Sequence, residues 1–223
     1  MNKGFIFDLD GVIVDTAKYH FLAWKKIADE LKFDFTLEHN ERLKGVSRLR
    51  SLDILLEIGG IIKSESEQSR LASKKNNLYL ELIKNLNSND LLPGSKSFII
   101  DAKDKAIKIA LGSASKNAAY ILKKLGVAHL FDARIDGTMV SKAKPDPEVF
   151  LKASNLLGLK PAQCLVFEDA QAGIDAAKNA GMKCIGIGDS NILHSADKVV
   201  GSLDQITVPE ALDILKKQHT QHE

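Results

Sequence analysis

The sequence predicts an α/β protein in which a core built on a parallel sheet carries an inserted, all-helical cap. Four short β-rich runs end in Asp, Gly or Ser and lead into helical patterns, the alternation that builds a parallel sheet. One long stretch, residues 16–92, keeps helical periodicity and offers no convincing strand. The 223 residues are 44% hydrophobic and 27% charged, with a formal net charge of +2 and charges of both signs interspersed. That composition is ordinary for a globular protein; it speaks against disorder, a solenoid, and an electropositive surface for nucleic acid or anionic lipid.

The first run, Phe5 to Phe7, ends at Asp8. Gly11 to Asp15 then leads into a helix with Thr16 as its N-cap, whose Phe21, Trp24, Ile27, Ala28 and Leu31 fall on one face. Leu71, Leu78 and Leu82 mark a further helix ending near Leu86, and the pair Pro93-Gly94 stops helices and suits a hinge. The expected division is a core of residues 1–15 plus 93–223 and a cap of residues 16–92 that closes over the site. In the core, Ile107 to Leu111 ends at Gly112-Ser113, Cys164 to Phe167 at Glu168-Asp169, and Cys184 to Ile187 at Gly188-Asp189. Ligands of such sheets bind at the carboxyl ends of the strands, so these polar residues should converge. The tail, residues 217–223, is expected to fray.

The two cysteines, Cys164 and Cys184, each open an apolar run and are expected to be reduced core residues of adjacent strands. No apolar stretch approaches the roughly 20 residues that span a bilayer, and three apolar side chains before Asp8 are too few for a signal-peptide core. The protein is expected in the cytoplasm, as a monomer, with neither membrane nor nucleic acid as partner. No G-x-G-x-x-G follows a strand pattern, which disfavours a nicotinamide cofactor.

Asp8-Leu9-Asp10-Gly11 places two carboxylates two residues apart where a buried strand ends. If strand geometry persisted, both would lie on one side, and like charges that close need a cation or a shared proton. A hard divalent metal meets that need; two turn aspartates before a glycine are the plainer alternative. Lys44 to Leu52 gathers a glycine, two hydroxyls and three basic side chains, suited to a phosphate far from the reacting one or to a solvated loop. Ser113 to Asn117 precedes a helical pattern, so its backbone amides offer an anion site.

Four motifs together resemble the haloacid dehalogenase superfamily of phosphotransferases: Asp8-Leu9-Asp10-Gly11, Ser113, Lys144-Pro145 and Glu168-Asp169. The resemblance implies a Rossmann-like core with Asp8 as nucleophile and Asp10 as general acid and base. It implies Mg²⁺ held by Asp8, the Asp10 carbonyl, Glu168 and Asp169, with Ser113 and Lys144 on the phosphoryl oxygens. Asp10 with the acidic pair argues for phosphate chemistry over dehalogenation.

Asp15 to Phe21, Lys44 to Leu52 and Lys74 to Asn77 are further similar to the β-phosphoglucomutase family. That similarity implies interconversion of β-glucose 1-phosphate and β-glucose 6-phosphate, with β-glucose 1,6-bisphosphate as activating phosphoryl donor; a sugar-phosphate phosphatase is the alternative. It implies substrate contacts from the cap at Thr16, His20, Lys44, Gly45, Val46, Ser47, Arg48, Ser51 and Lys75. From the core it implies Ser113, Ala114, Ser115, Lys116, Asn117 and Lys144. His20 and Lys75 also admit plainer readings, as a satisfied core histidine and a solvated helix face, and Trp24 is expected to pack the cap rather than meet sugar. Departures from the family pattern near residues 32–41 and after 190 are assigned to the surface.

Overall fold

The computed structural model describes residues 2–216; the tail from residue 217, expected to fray, lies outside them. Among these residues six parallel strands form one sheet in the order β3-β2-β1-β4-β5-β6. They are β1 (Gly4–Phe7), β2 (Lys108–Gly112), β3 (Ala133–Ile135), β4 (Cys164–Glu168), β5 (Lys183–Ile187) and β6 (Lys198–Val200). The central strands are the four legible apolar runs. The edge strands β3 and β6 are three residues long and partly exposed, too short for a period to show.

Alternation along β1 assigns its faces. Phe5 and Phe7 point to one side, where they pack with Phe98 and Phe167; Phe7 and Phe167 stack with ring centroids 4.6 Å apart. Three helices bury their apolar stripes on that face: α5 (Ser95–Asp104), α6 (Ala118–Lys124) and α9 (Val208–Lys216). Ile6 points to the other face, covered by α7 (Glu148–Leu156) and α8 (Gln171–Asn179). Burial on both faces is what a parallel sheet requires. Cys164 and Cys184 are free, buried residues of the neighbouring strands β4 and β5.

Between β1 and α5 the chain forms four further helices: α1 (Ala17–Glu30), α2 (Leu37–Glu41), α3 (Arg48–Ile58) and α4 (Glu65–Leu82). They enclose a core of their own around Trp24, Ile27, Leu52, Leu55 and Leu71. The start of α4 is fixed by a capping box between Ser64 and Glu67, and the helix ends at Leu82, a turn short of the expected Leu86. Thr16 stands at the N-cap of α1, yet its hydroxyl makes no capping bond; Asp15 accepts from the Ala17 amide instead. The two stretches assigned to the surface are partly interior. Phe35 is buried in the helical core and Asn40 is buried in α2, while Leu193, Leu203 and Val208 complete the sheet's packing. No helix among the described residues is long and apolar enough to cross a membrane.

Candidate active site

β1 and β4 are adjacent and in register at Phe7 and Phe167, so the residues that follow, Asp8 and Glu168, are neighbours at the carboxyl end of the sheet. The Asp8 amide donates to the Phe167 carbonyl at 2.9 Å, the last bond of the ladder. The strand ends there. Asp10 is therefore not held to Asp8 by strand periodicity, and its amide donates to Asp8 Oδ2 at 3.0 Å.

Lys144 reaches this point from the loop before α7, where a cis peptide joins it to Pro145. Its ammonium donates to Asp8 Oδ1 at 2.5 Å and to Glu168 Oε1, with the lysine side chain 1% exposed. Burial alone would push this ammonium down, but the charges of Asp8 and Glu168 outweigh burial and hold it above its ordinary value. Asp8, Glu168 and Asp169 each offer a carboxylate oxygen, all within 4.8 Å of one another. Burial, reinforced by these neighbouring charges, pushes the Asp169 carboxyl well up; burial likewise raises Glu168. Buried Asp8 and Glu168 with half-buried Asp169 against one ammonium leave negative charge uncompensated, and an all-oxygen donor set suits a hard divalent cation. The residues present thus fit Mg²⁺. Gly11 is required beside them: it has φ +77°, and a Cβ there would stand 2.1 Å from Asp169 Oδ2.

Asp10 faces the helical insertion. Burial first, and then the charge of Asp8, push its carboxyl up to about 8, a value suited to a group that both gives and takes a proton near neutrality. The Thr16 hydroxyl donates to Asp10 Oδ1. Opposite lies Lys75 of α4, which is 3% exposed rather than solvated, whereas the adjacent Lys74 is exposed and pairs with Glu30 at 2.8 Å. The Lys75 ammonium stands 2.7 Å from His20 Nδ1 and over the rings of Trp24 and Tyr79 at 4.8 and 4.9 Å. Burial, with Arg48 nearby, lowers it to about 7. Burial also holds His20 well below its ordinary value, so the imidazole is neutral and Nδ1 accepts.

A cavity with about 870 Å³ of free space, its mouth included, joins these groups. Asp8, Asp10 and Asp169 line one part, and Ser113, Ala114, Ser115, Lys116 and Asn117 another. From the insertion come His20, Lys44, Gly45, Val46, Arg48, Ser51 and Lys75. The expected site residues therefore meet, with four departures. Thr16 is fully buried and acts on Asp10 rather than on the cavity. Ser47 accepts from the Arg50 amide at 3.3 Å as the N-cap of α3, which takes it out of the cavity wall. Lys144 and Glu168 lie behind Asp8 and do not line the cavity. In addition, Arg48 opens a helix; the loop ends before it.

The turn after β2 also spends amides on its own side chains, with Ser115 N on Ser113 Oγ at 3.1 Å and Asn117 N on Ser115 Oγ at 3.2 Å. That reduces the anion site expected of its backbone. Trp24, expected only to pack, lines the cavity as well, as do Asn40, Leu43, Ala17 and Gly11. Asn40 was discoverable as a polar residue at an inward helical position; Leu43 and Ala17 carry no sequence signal of function.

The insertion meets the core at the rim of this cavity. Asn117 Nδ2 donates to Asn76 Oδ1 at 3.0 Å, and a Cβ on Gly45, at φ +72°, would meet the Ala170 methyl at 2.9 Å.

A family model described as haloacid dehalogenase-like hydrolase matches residues 2–181. Beta-phosphoglucomutase of Bacillus subtilis is 44% identical over 222 residues, covering 99% of this chain and 96% of the relative. Phosphorylated carbohydrates phosphatase of Thermotoga maritima is 31% identical, covering 95% of this chain and 97% of the relative. The crystal structure of beta-phosphoglucomutase from Clostridium difficile superposes with a TM-score of 0.93 at 45% identity, covering 96% and 97% of the two chains. With its parallel sheet, its helices inserted after β1 and its four motifs gathered at one strand end, the chain belongs to the haloacid dehalogenase-like hydrolase family.

Proposed function

We propose that the protein is a Mg²⁺-dependent phosphosugar mutase that interconverts β-D-glucose 1-phosphate and β-D-glucose 6-phosphate, primed by β-glucose 1,6-bisphosphate. The observation that carries this reading is a single cavity with a carboxylate cluster on the core side and the basic residues Lys44, Arg48 and Lys75 on the insertion side. A substrate with phosphate at both ends fits two such poles. The 44% identity to the Bacillus subtilis mutase favours this reading over the phosphatase alternative.

Asp8 attacks a phosphorus of β-glucose 1,6-bisphosphate, the bond from that phosphorus to the sugar oxygen breaks, and protonated Asp10 delivers its proton to that oxygen as glucose monophosphate leaves. In reverse, Asp10 takes the proton from the 6-hydroxyl of β-glucose 1-phosphate as that oxygen attacks the aspartyl-phosphate, whose bond from phosphorus to Asp8 breaks to leave the bisphosphate. The bisphosphate then turns end for end, and its 1-phosphate returns to Asp8, leaving glucose 6-phosphate. Asp8, Glu168, Asp169 and the Asp10 carbonyl would hold Mg²⁺, which when bound offsets repulsion between the Asp8 carboxylate and the incoming phosphoryl group. Lys144 orients Asp8, and Ser113 with Lys116 and Asn117 holds phosphoryl oxygens. Residues 16–92 act as a cap, and Arg48 on the distal phosphate draws it shut to exclude water from the aspartyl-phosphate. The same reading takes the protein to work as a cytoplasmic monomer.

The test is incubation with Mg²⁺, β-glucose 1-phosphate and a trace of the bisphosphate, following glucose 6-phosphate and free phosphate together. Glucose 6-phosphate in large excess is expected. Dominant free phosphate would make the protein a sugar-phosphate phosphatase and overturn the mutase assignment.

A further inference from the structure

Lys144 reaches Asp8 and Glu168 from the loop between β3 and α7, and a lysine carries its charge on a flexible four-carbon stem. Such a stem keeps its ammonium on two acceptors only when the backbone beneath it stays put. Yet among the described residues neither the amide nor the carbonyl of Lys144 makes a hydrogen bond, so its neighbours fix its place. Downstream, Asn179 Nδ2 of α8 donates to the Pro145 carbonyl at 3.0 Å, and the Asp146 amide donates back to the Ala143 carbonyl at 3.0 Å. Upstream, the holder is Glu148.

Glu148 is the first residue of α7, and its side chain turns back along the chain instead of following the helix. Its Oε2 accepts from the Ser141 amide and hydroxyl, each at 2.9 Å, and from the Lys142 amide at 2.7 Å. Its Oε1 accepts from the Lys152 ammonium at 2.6 Å, one helical turn on. An ionised acceptor makes such bonds strong, and a carboxylate is favoured in the first turn of a helix. One carboxylate thus closes residues 141–148 into a ring with Lys144 in its middle. Phe150 of α7 walls that ring, its centroid 4.9 Å from the ammonium. Glu148 itself does not line the cavity, so any effect it has on the site passes through Lys144. We infer that Glu148 is a positioning residue: by pinning the start of the loop to α7 it holds the Lys144 ammonium on Asp8 and Glu168.

The test uses the full chain and two readouts, phosphoenzyme formation from acetyl phosphate and calorimetry of Mg²⁺ binding without any phosphate present. Glu148→Leu removes the acceptor, whereas Glu148→Gln keeps an oxygen that can take the same donors. Glu148→Leu is expected to lower the maximal phosphorylation rate about tenfold with half-saturation within about twofold, and Glu148→Gln to stay within about threefold of wild type. Mg²⁺ should bind Glu148→Leu more tightly, by about threefold or more, because the ammonium that competes for Asp8 and Glu168 is no longer held there. A general loss of structure would weaken that binding instead. Added to Lys144→Met, Glu148→Leu should cause no further loss. Ser141→Ala, which removes one donor at an exposed position, should move both readouts the same way by less, and keeps the test decisive should Glu148→Leu fail to fold. An unchanged rate, Mg²⁺ binding unchanged or weaker, Glu148→Gln as slow as Glu148→Leu, or multiplying losses with Lys144→Met would each overturn the inference. The rate readout rests on the reading of Asp8 as nucleophile given above, and the calorimetry does not. A wild type that takes no phosphoryl group from acetyl phosphate would overturn that reading, while tighter Mg²⁺ binding by Glu148→Leu would still support the positioning role.

Discussion

Replacing Lys144 by methionine removes the ammonium paired with the buried carboxylates Asp8 and Glu168 and keeps most of the side chain's volume. The ammonium makes two charge-assisted hydrogen bonds, to Asp8 and Glu168, with lysine, aspartate and glutamate side chains 1%, 8% and 0% exposed. Such bonds contribute about 1.5–3 kcal/mol each, and stripping one partner from a buried ionic set costs about 3–5 kcal/mol. Against a total stability of roughly 5–15 kcal/mol, the metal-free variant should fold with little margin. The loss should also depend on pH. Burial already raises Glu168 while Lys144 pulls it down, so the substitution lifts it further. A carboxyl raised above its unfolded value stabilises at low pH and loses that contribution as pH rises through its folded value. The deficit should therefore be small near about pH 5 and largest near about pH 8, since proton uptake replaces the missing cation. Urea denaturation of the metal-free protein at both values measures it, and Mg²⁺ should restore the variant more than the wild type. A loss below about 1 kcal/mol at the higher pH, or one independent of pH, would refute the view that this lysine compensates buried charge.

Arg48→Ala is expected to lower mutase turnover by at least about tenfold, and to lower phosphoenzyme formation from acetyl phosphate far less; equal losses in the two assays count against a distal phosphate site. With Asp10 pushed up to about 8, the acid form is present below that value and is lost as pH rises through it, so kcat should fall on the alkaline side. Lys75 lowers Asp10, and Lys75→Met should therefore shift that limb to higher pH; a shift downward contradicts the coupling. Gly11→Ala should displace Asp169 and weaken Mg²⁺ binding in calorimetry by about tenfold or more, since its Cβ would stand 2.1 Å from that carboxylate. Unchanged affinity would show that Asp169 is not a ligand.

The core strands and the acids that end them were legible in the sequence because both are local. Phe5 to Phe7 and Cys164 to Phe167 are uninterrupted apolar runs that stop at an acid, and parallel pairing makes the acids neighbours. The insertion was harder to read, because its functional residues meet through tertiary packing. Lys75 looks like half of a solvated pair until α4 is seen to turn it inward while Lys74 faces water. Ser47 resembles a phosphate ligand beside Arg48, but a hydroxyl ahead of a helix is claimed by the helix's own unpaired amides. Phe35 and Asn40 sit in a stretch whose polar residues suggest surface, and only the short capped α2 carries Asn40 to the cavity.

The two passages of chain that join the helices to the sheet are bonded to each other: Val14 bridges Leu91 in antiparallel fashion, and the Leu92 amide donates to the Ile13 carbonyl at 3.0 Å. A door hung on two separate straps can sag and twist, whereas one hung on straps sewn together swings about a single line. The sewn pair lies close to Asp10, since the Gly11 amide donates to the Val14 carbonyl at 2.8 Å. Asp10 thus stands near the pivot and Arg48 out on the leaf. Under the proposed closure, a pull applied to the leaf would act with leverage on the pivot, so that a small rotation seating the remote end of a ligand would adjust the acid at the reacting end.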